Sequence, residues 1–229
     1  MLLLCNCCAG LLAVSSLPST HVLATMGLQN TDVYILDVSE KPSQGPTMVT
    51  SHKHEISQMT LDPKGRYLAT TSMRGTIIRL HETRRGELVR EFRRGYTASI
   101  LTSLRFSRDS VLLCAASDRS VHVFHVDKPE LNTSSGLAFM LSKESQRPRS
   151  FVSLDSLTAC VCCFDRKAKG IIAVCDTALA RKMSFDAAGK VNPEQKIVQL
   201  LKHNTGSLFR VDPDKWREAH RGYTAPDHP

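Results

Sequence analysis

Aromatic side chains and long apolar runs are both scarce in this 229-residue sequence. Phe, Trp and Tyr make up 6% of the chain, and the single tryptophan, Trp216, is not followed by aspartate, so there is no Trp-Asp dipeptide. Sparse aromatics without a stacking motif argue against nucleic-acid recognition. No run approaches the ~20 apolar residues of a membrane-spanning helix, so membrane contact is predicted to be peripheral.

The motifs of common enzymes are missing as well. The sequence has no Walker loop, no nucleophile elbow and no convincing carboxylate pair. Its eight cysteines lie mostly in apolar runs, and Cys160, Cys162 and Cys163 alternate along a strand-like segment instead of forming ligand pairs separated by a loop. These patterns predict a non-enzyme without metal or cofactor, whose thiols are buried in a reducing compartment.

The chain has the composition of a folded, basic protein. Hydrophobic residues make up 41% of it and charged residues 23%, which suffices for a buried core. Its formal net charge of +8 predicts an anionic partner. Charge alone leaves nucleic acid, an acidic protein and an anionic membrane as alternatives.

Short β-rich segments recur at a spacing of about 44 residues, as in WD40-type blades. Asp32–Val38, Thr76–His81 and Ser120–His125 superpose, and so do the preceding Tyr67–Ser72 and Val111–Ser117. Each of these preceding segments follows an aspartate-containing turn. The repeat predicts an all-β, WD40-like β-propeller.

The repeats predict about four blades of an incomplete ring. Residues 1–191 form the partial propeller and 192–229 a tail, with blades at about 9–45, 50–95, 98–150 and 151–191. The apolar start, Met1–Ala13, has no preceding basic residue, so we interpret it as a strand from mid-fold and the chain as a fragment or truncated isoform. Lys196–Lys202 predicts a short helix in the tail.

One segment of the second repeat carries a recognisable motif. Ala69-Thr-Thr-Ser-Met-Arg-Gly-Thr-Ile-Ile-Arg79 is followed by Glu91-Phe-Arg-Arg-Gly95. This resembles the signature of the PROPPIN family, seven-bladed phosphoinositide-binding propellers of autophagy, over roughly residues 10–190. The resemblance implies recognition of phosphatidylinositol 3-phosphate and the 3,5-bisphosphate during autophagosome formation. It also implies a cytoplasmic protein, recruited peripherally to phagophore or endosomal membranes, with autophagy proteins as partners.

The arginine pair is suited to binding two anions. Adjacent strand residues point to opposite sides, so Arg93 and Arg94 are predicted to serve different neighbouring clefts. A guanidinium offers a rigid fork of donors that matches phosphate oxygens. Gly95 is expected to let the chain turn and approach closely.

The resemblance distributes the site residues over two clefts. The first is predicted to contain His54, Ser72, Gly75, Thr76, Arg79 and Arg93, and the second Arg94, Ser117, Ser120 and His122. Thr76 and Ser120 are expected at equivalent places in successive repeats. His54 is interpreted either as a ligand or as the structural histidine of a WD40-type blade. His122 alternates with two valines, and it is interpreted as a rim ligand in preference to a core histidine.

The long insertion Asp127–Arg149 is predicted to contact the membrane. It combines basic residues with an apolar segment whose tips would enter the headgroup region, namely Leu137, Phe139, Met140 and Leu141. The favoured function is therefore a membrane-recognition module that combines two headgroup sites with an inserting loop. The alternative is a WD40-like protein-interaction scaffold without effective lipid binding.

Overall fold

The predicted all-β architecture is confirmed by a computed structural model, which describes residues 11–42, 45–126, 150–153, 160–167, 169–175, 179–184 and 196–199. These residues form four antiparallel sheets in which each strand pairs with the next along the chain. Within them, no helix is long and apolar enough to cross a membrane.

Each sheet occupies a separate stretch of the sequence. Sheet 1 contains β1 (Leu12–Val14), β2 (Val22–Met26), β3 (Asp32–Asp37) and β4 (Thr47–Thr50). Sheet 2 contains β5 (Ile56–Leu61), β6 (Tyr67–Ser72), β7 (Ile77–Glu82) and β8 (Leu88–Arg93). Sheet 3 contains β9 (Leu101–Phe106), β10 (Leu112–Ser117), β11 (Ser120–His125) and β12 (Ser150–Ser153). Sheet 4 contains β13 (Cys160–Phe164), β14 (Gly170–Cys175), β15 (Leu179–Ser184) and β16 (Lys196–Gln199).

The core lies between successive sheets, because the first strands of neighbouring sheets contact one another along the chain. One apolar cluster joins sheets 1 and 2, a second joins sheets 2 and 3 around Phe92 and Phe124, and a third joins sheets 3 and 4 around Cys114 and Cys162. Burial on both faces explains why β10 is apolar along most of its length.

A buried aspartate organises the turn between β5 and β6. The Asp62 carboxylate is 0% exposed and accepts hydrogen bonds from the backbone amides of Arg66 and Tyr67 at 2.5 and 2.8 Å. The Ser110 hydroxyl, from the corresponding turn of sheet 3, donates to the same carboxylate at 2.7 Å. The aspartate in this turn therefore stabilises both its own turn and the junction between sheets.

The central hairpins of sheets 2 and 3 differ in length. Residues 73–76 connect β6 to β7, whereas only residues 118–119 connect β10 to β11. In the ladders, Thr71 pairs with Ile78 and Ala116 pairs with Val121. Ser120 therefore opens its strand, whereas Thr76 lies in the turn before β7, so their predicted equivalence is wrong by one position.

The predicted C-terminal helix is also wrong. Lys196–Gln199 is β16, which pairs antiparallel with β15 as the outer strand of sheet 4. The period-2 alternation that a four-residue edge strand needs is too short to distinguish from a helical turn in sequence. Sheet 4 thus extends past the predicted boundary at residue 191, and sheet 1 extends to Thr50, past its predicted end at residue 45.

Two sequence predictions concern residues outside the described part of the chain. One is the opening strand, of which only Leu12–Val14 belongs to a described element. The other is the insertion Asp127–Arg149 with its proposed membrane-contacting residues Leu137, Phe139, Met140 and Leu141. The insertion connects β11 to β12 in sheet 3.

Candidate functional site

Three connections at one edge of sheets 2 and 3 contain four of the predicted site residues, Gly75, Thr76, Arg94 and Gly95, and we call this edge the linker rim. It consists of the hairpin connections 73–76 and 118–119 and of the linker 94–100 that joins β8 to β9. The linker is held against the first hairpin, because the Arg94 amide donates to the Thr76 carbonyl at 2.9 Å and the Ser99 amide donates to the Arg74 carbonyl at 3.1 Å.

Arg93 lies on the side of the linker rim that faces sheet 1. Arg93 is the last residue of β8 and pairs with Ile77 of β7. The Arg79–Glu91 pair lies two residues further along these strands, so Arg93 shares a sheet face with Arg79 and Glu91. Its guanidinium is exposed and lies 5.3 Å from the ring centroid of Tyr96, a cation–π arrangement. Within the described residues, no carboxylate lies within ion-pair distance of Arg93.

Arg94 is directed into the linker instead. Its Nε donates to the Gly75 carbonyl at 2.6 Å, and a terminal nitrogen donates to the Thr97 carbonyl. Burial lowers the pKa of this guanidinium, and the nearby Asp118 carboxylate opposes that effect. The two adjacent arginines therefore occupy different environments, one exposed and one half-buried.

Arg79 forms an ion pair with an internal carboxylate, which no motif in the sequence indicates. Its Nε lies 2.6 Å from Glu91 Oε1, and a terminal nitrogen donates to the Ser51 carbonyl of the preceding linker. The cross-strand register explains the ion pair, because Arg79 and Glu91 are direct partners in the ladder between β7 and β8. In this arrangement Arg79 joins sheet 2 to the linker from sheet 1.

The structural histidine of this repeat is His52, not His54. The His52 side chain is 7% exposed, and its Nε2 lies 3.1 Å from the Thr70 hydroxyl. His54 lies in an exposed bend before β5. The structural role considered for His54 is thus filled two residues earlier, and His54 remains available at the surface next to the rim.

A buried polar network surrounds His52 and was missed from the sequence. The Ser51 hydroxyl lies 2.5 Å from that of Thr70 and 3.1 Å from His81 Nε2. Burial lowers the pKa of His52 to about 4 and also lowers that of His81, with Arg79 contributing in both cases. Both histidines are therefore neutral near pH 7. The only sequence signal for this network is one Ser-His dipeptide, Ser51-His52, and one Thr-Thr dipeptide, Thr70-Thr71.

The two motif glycines have different roles. Gly75 has φ of +59°, and a Cβ there would lie 1.9 Å from the Ser99 carbonyl oxygen, so only glycine permits the linker to close on the hairpin. At Gly95, a Cβ would meet no heavy atom within 4 Å. The close approach that was predicted for Gly95 belongs to Gly75.

The remaining predicted residues of the first cleft flank this contact. Ser72 ends β6 and is 7% exposed, and Thr76 is half-buried in the connection to β7. By strand alternation, Ser72 shares its sheet face with Arg79 and Arg93. The structure thus places Ser72, Arg79 and Arg93 on one face of sheet 2. The hydroxyl groups of Ser72 and Thr76 lie next to the contact between the hairpin and the linker.

The second predicted cleft is largely closed. Ser117 and Ser120 are 0% and 4% exposed, and their hydroxyls lie 3.2 Å apart. His122 is 4% exposed, and its Nε2 lies 2.9 Å from the Ser120 hydroxyl. Burial, assisted by Arg94, lowers the pKa of His122 to about 4. The Ser117 and Ser120 hydroxyls and the neutral His122 imidazole thus form a continuous polar group, but this group is buried and does not lie at the linker rim.

Asp118 lies between this chain and the linker. Its carboxylate accepts a hydrogen bond from the Ser99 hydroxyl at 2.7 Å and lies 3.7 Å from Arg119 Nε. The carboxylate also interacts electrostatically with Arg94. The negative charge of Asp118 therefore opposes the binding of a phosphate group in the second predicted cleft.

Comparison with known proteins agrees with this architecture. A sequence model described as PROPPIN matches residues 1–137, more than half of the chain. SVP1-like protein 2 of Candida albicans is 35% identical over 125 residues, which cover 52% of this chain and 21% of that protein. Autophagy-related protein 18 of Dictyostelium discoideum is 32% identical over 127 residues, which cover 55% of this chain and 34% of that protein. The matched residues thus span only 21% and 34% of the lengths of these two relatives.

Solved propellers share the fold. The structure of Kluyveromyces lactis Hsv2 matches with a TM-score of 0.65 at 20% identity, and the match covers 80% of this chain and 61% of the Hsv2 chain. A complex of KlAtg21 with the coiled coil of AgAtg16 gives a TM-score of 0.65 at 18% identity, and the match covers 82% of this chain and 58% of that chain. With the four successive sheets and the Phe-Arg-Arg-Gly turn at the linker rim, the sequence match establishes that this chain belongs to the PROPPIN family.

Proposed function

We propose that this chain binds phosphoinositide headgroups at membrane surfaces, with Arg93 as the primary phosphate ligand. The proposed lipids are phosphatidylinositol 3-phosphate and phosphatidylinositol 3,5-bisphosphate, and the proposed setting is autophagosome formation at phagophore or endosomal membranes. The observation that carries the proposal is an exposed arginine without a carboxylate partner among the described residues, beside a pair that is already neutralised internally.

The neighbourhood of Arg93 favours an anion at a membrane surface. Glu91, which shares the sheet face of Arg93, is paired with Arg79, so it does not offset the charge of Arg93. Tyr96, beneath the guanidinium, is 88% exposed. A tyrosine ring with one apolar body and one hydroxyl is well suited to the headgroup region of a bilayer. The exposed His54 and the Thr76 hydroxyl are further candidate ligands for the same headgroup.

The second site is proposed to be conditional. Arg94 holds the linker through backbone carbonyls, and the hydroxyls of Ser117 and Ser120 are buried. A headgroup there has to displace the bonds of Arg94 and approach the Asp118 carboxylate. We therefore propose that Arg93 supplies most of the affinity, and that the Arg94 site adds to it only once the first headgroup is bound.

The test is liposome flotation with separate substitutions of the two arginines. We expect Arg93→Thr to weaken binding to vesicles containing phosphatidylinositol 3-phosphate by about tenfold or more, because a charge-assisted hydrogen bond contributes roughly 1.5–3 kcal/mol. Arg94→Thr is expected to have a smaller effect on binding and a larger one on stability. Vesicles of phosphatidylcholine alone and vesicles with phosphatidylinositol 4-phosphate serve as lipid controls.

Equal flotation of the wild type and the Arg93→Thr/Arg94→Thr double variant would refute the proposal. A folded chain that floats with none of these vesicles would favour the protein-interaction scaffold instead. The Atg21–Atg16 complex among the structural neighbours makes autophagy proteins the proposed partners in either case.

A further inference from the structure

Two buried cysteines meet across the interface between sheets 3 and 4. Cys114 lies in β10 and Cys162 in β13, and their sulfur atoms are 3.3 Å apart. Both thiols are free, and the residues are 0% and 1% exposed. A disulfide has an S–S bond of about 2.05 Å, so the two sulfurs have to approach by a little over ~1 Å.

The surroundings give the two sulfurs different protonation chemistry. The Cys114 thiol hydrogen-bonds to the sulfur of Cys162, and this bond lowers the pKa of Cys162, with Ser103 and Arg105 contributing in the same direction. Burial raises the pKa of Cys114. Ser103 also fixes the Cys162 backbone, since its hydroxyl accepts from the Cys162 amide at 3.2 Å. One sulfur is therefore the better nucleophile and its neighbour is placed to react with it.

We propose that Cys114 and Cys162 are a two-electron redox pair that closes to a disulfide when the chain meets a peroxide. The Cys162 thiolate attacks one oxygen of the peroxide, the O–O bond breaks, and Cys162 becomes a sulfenic acid with release of hydroxide or alkoxide. The Cys114 sulfur then attacks the Cys162 sulfur, the S–O bond breaks, and water leaves with the proton of the Cys114 thiol. The protein loses two electrons and two protons, and the peroxide is reduced.

The disulfide joins two sheets that are otherwise held by apolar contacts and a few hydrogen bonds. Because the sulfurs are buried, oxidant reaches them only when the sheets separate transiently, so closure is expected to be slow compared with oxidation of an exposed thiol. The crosslink spans residues distant in sequence and should raise the apparent Tm by roughly 5–10 °C.

The neighbouring cysteines provide internal controls. Cys163 is exposed and is expected to oxidise first, without forming the crosslink. Cys160 is buried in the same cluster, but its thiol donates to the Ser117 carbonyl at 3.7 Å. Cys175 pairs with Cys160 in the ladder between β13 and β14. The geometry therefore singles out Cys162 among the three cysteines of β13.

The experiment uses the full chain with Cys163→Ala, reduced and then treated with hydrogen peroxide under native conditions. Trypsin places Cys114 in the peptide 109–119, and Cys160 and Cys162 in the peptide 150–166. We expect a linked pair of these peptides with a Cys114–Cys162 bond, loss of two thiols and full reversal by dithiothreitol. Adding Cys160→Ala should preserve the link, and adding Cys162→Ala should abolish it.

Three outcomes would overturn the proposal. In the first, both thiols persist while the chain remains folded by circular dichroism. In the second, fragmentation assigns the bond to Cys160. In the third, the link forms no more readily in the native chain than in urea, where no contact favours this pair. Mapping in the Cys163→Ala background requires no substitution at either sulfur, so the test stands even if a core variant fails to fold.

Discussion

Replacing Gly75 with alanine is expected to destabilise the chain and open the linker rim. Gly75 has φ of +59°, a conformation that costs a residue with a Cβ roughly 1–2 kcal/mol. The new Cβ would also lie 1.9 Å from the Ser99 carbonyl oxygen, so the backbone of the linker has to move by more than ~1 Å. That movement breaks the 3.1 Å hydrogen bond between the Ser99 amide and the Arg74 carbonyl, a further loss of about 1 kcal/mol.

These two terms add to a loss of about 2–3 kcal/mol, which corresponds to a fall in Tm of roughly 4–12 °C. Urea denaturation followed by circular dichroism measures this loss directly. Gly95→Ala is the matched control, because a Cβ at Gly95 meets nothing within 4 Å. We expect it to change stability by less than about 0.5 kcal/mol.

Equal stability of the two alanine variants would refute this account of the linker rim. It would show that the hairpin and the linker are not held at the distance described. A Gly75→Ala chain that is destabilised but floats normally with phosphoinositide vesicles would separate the two functions of the rim: the contact would then serve stability, and Arg93 would act without it.

Three further changes test the charges of the site. Asp118→Asn should strengthen flotation with anionic vesicles by a fewfold at low salt and less at high salt, because it removes a negative charge beside the second pocket; unchanged flotation would contradict that role. Glu91→Gln should cost about 1 kcal/mol in urea denaturation by weakening a 2.6 Å ion pair, whereas Glu87→Gln, in an exposed 4.0 Å pair, should cost nothing measurable. In the folded chain the pKa values of His52 and His122 are about 4, below the unfolded value near 6.5. The free energy of unfolding should therefore be highest above pH 6.5 and fall towards pH 4, by up to about 3 kcal/mol for each histidine. A stability that does not change over this pH range would contradict their burial as neutral rings.

The fold could be predicted from the sequence because its period is visible in short strands and turns. Tyr67–Ser72 was predicted in full and is β6, and Ser120–His125 is β11. The edge strand β16 could not be predicted, since four residues carry too little periodicity to separate a strand from a helical turn.

The environments of the predicted site residues could not be predicted from the sequence, and their role in binding stays a prediction. The opposite orientations expected of Arg93 and Arg94 follow from strand alternation, and the two side chains do lie in different surroundings. Their partners depend on tertiary packing. The Arg79–Glu91 ion pair needs the ladder register, and the burial of His122 needs the packing of sheet 3 on sheet 2. Neither is encoded in a local motif.

The unequal hairpins of sheets 2 and 3 have a consequence for how such repeats can diverge. The strands on either side of both hairpins are six residues long, so the difference in length is confined to the connection. The corresponding connection of sheet 1 has five residues, which means that both odd and even lengths occur in this chain. Loop grafting at these connections should therefore be tolerated at several lengths, whereas a residue inserted within β6 or β10 should exchange the two faces of that strand.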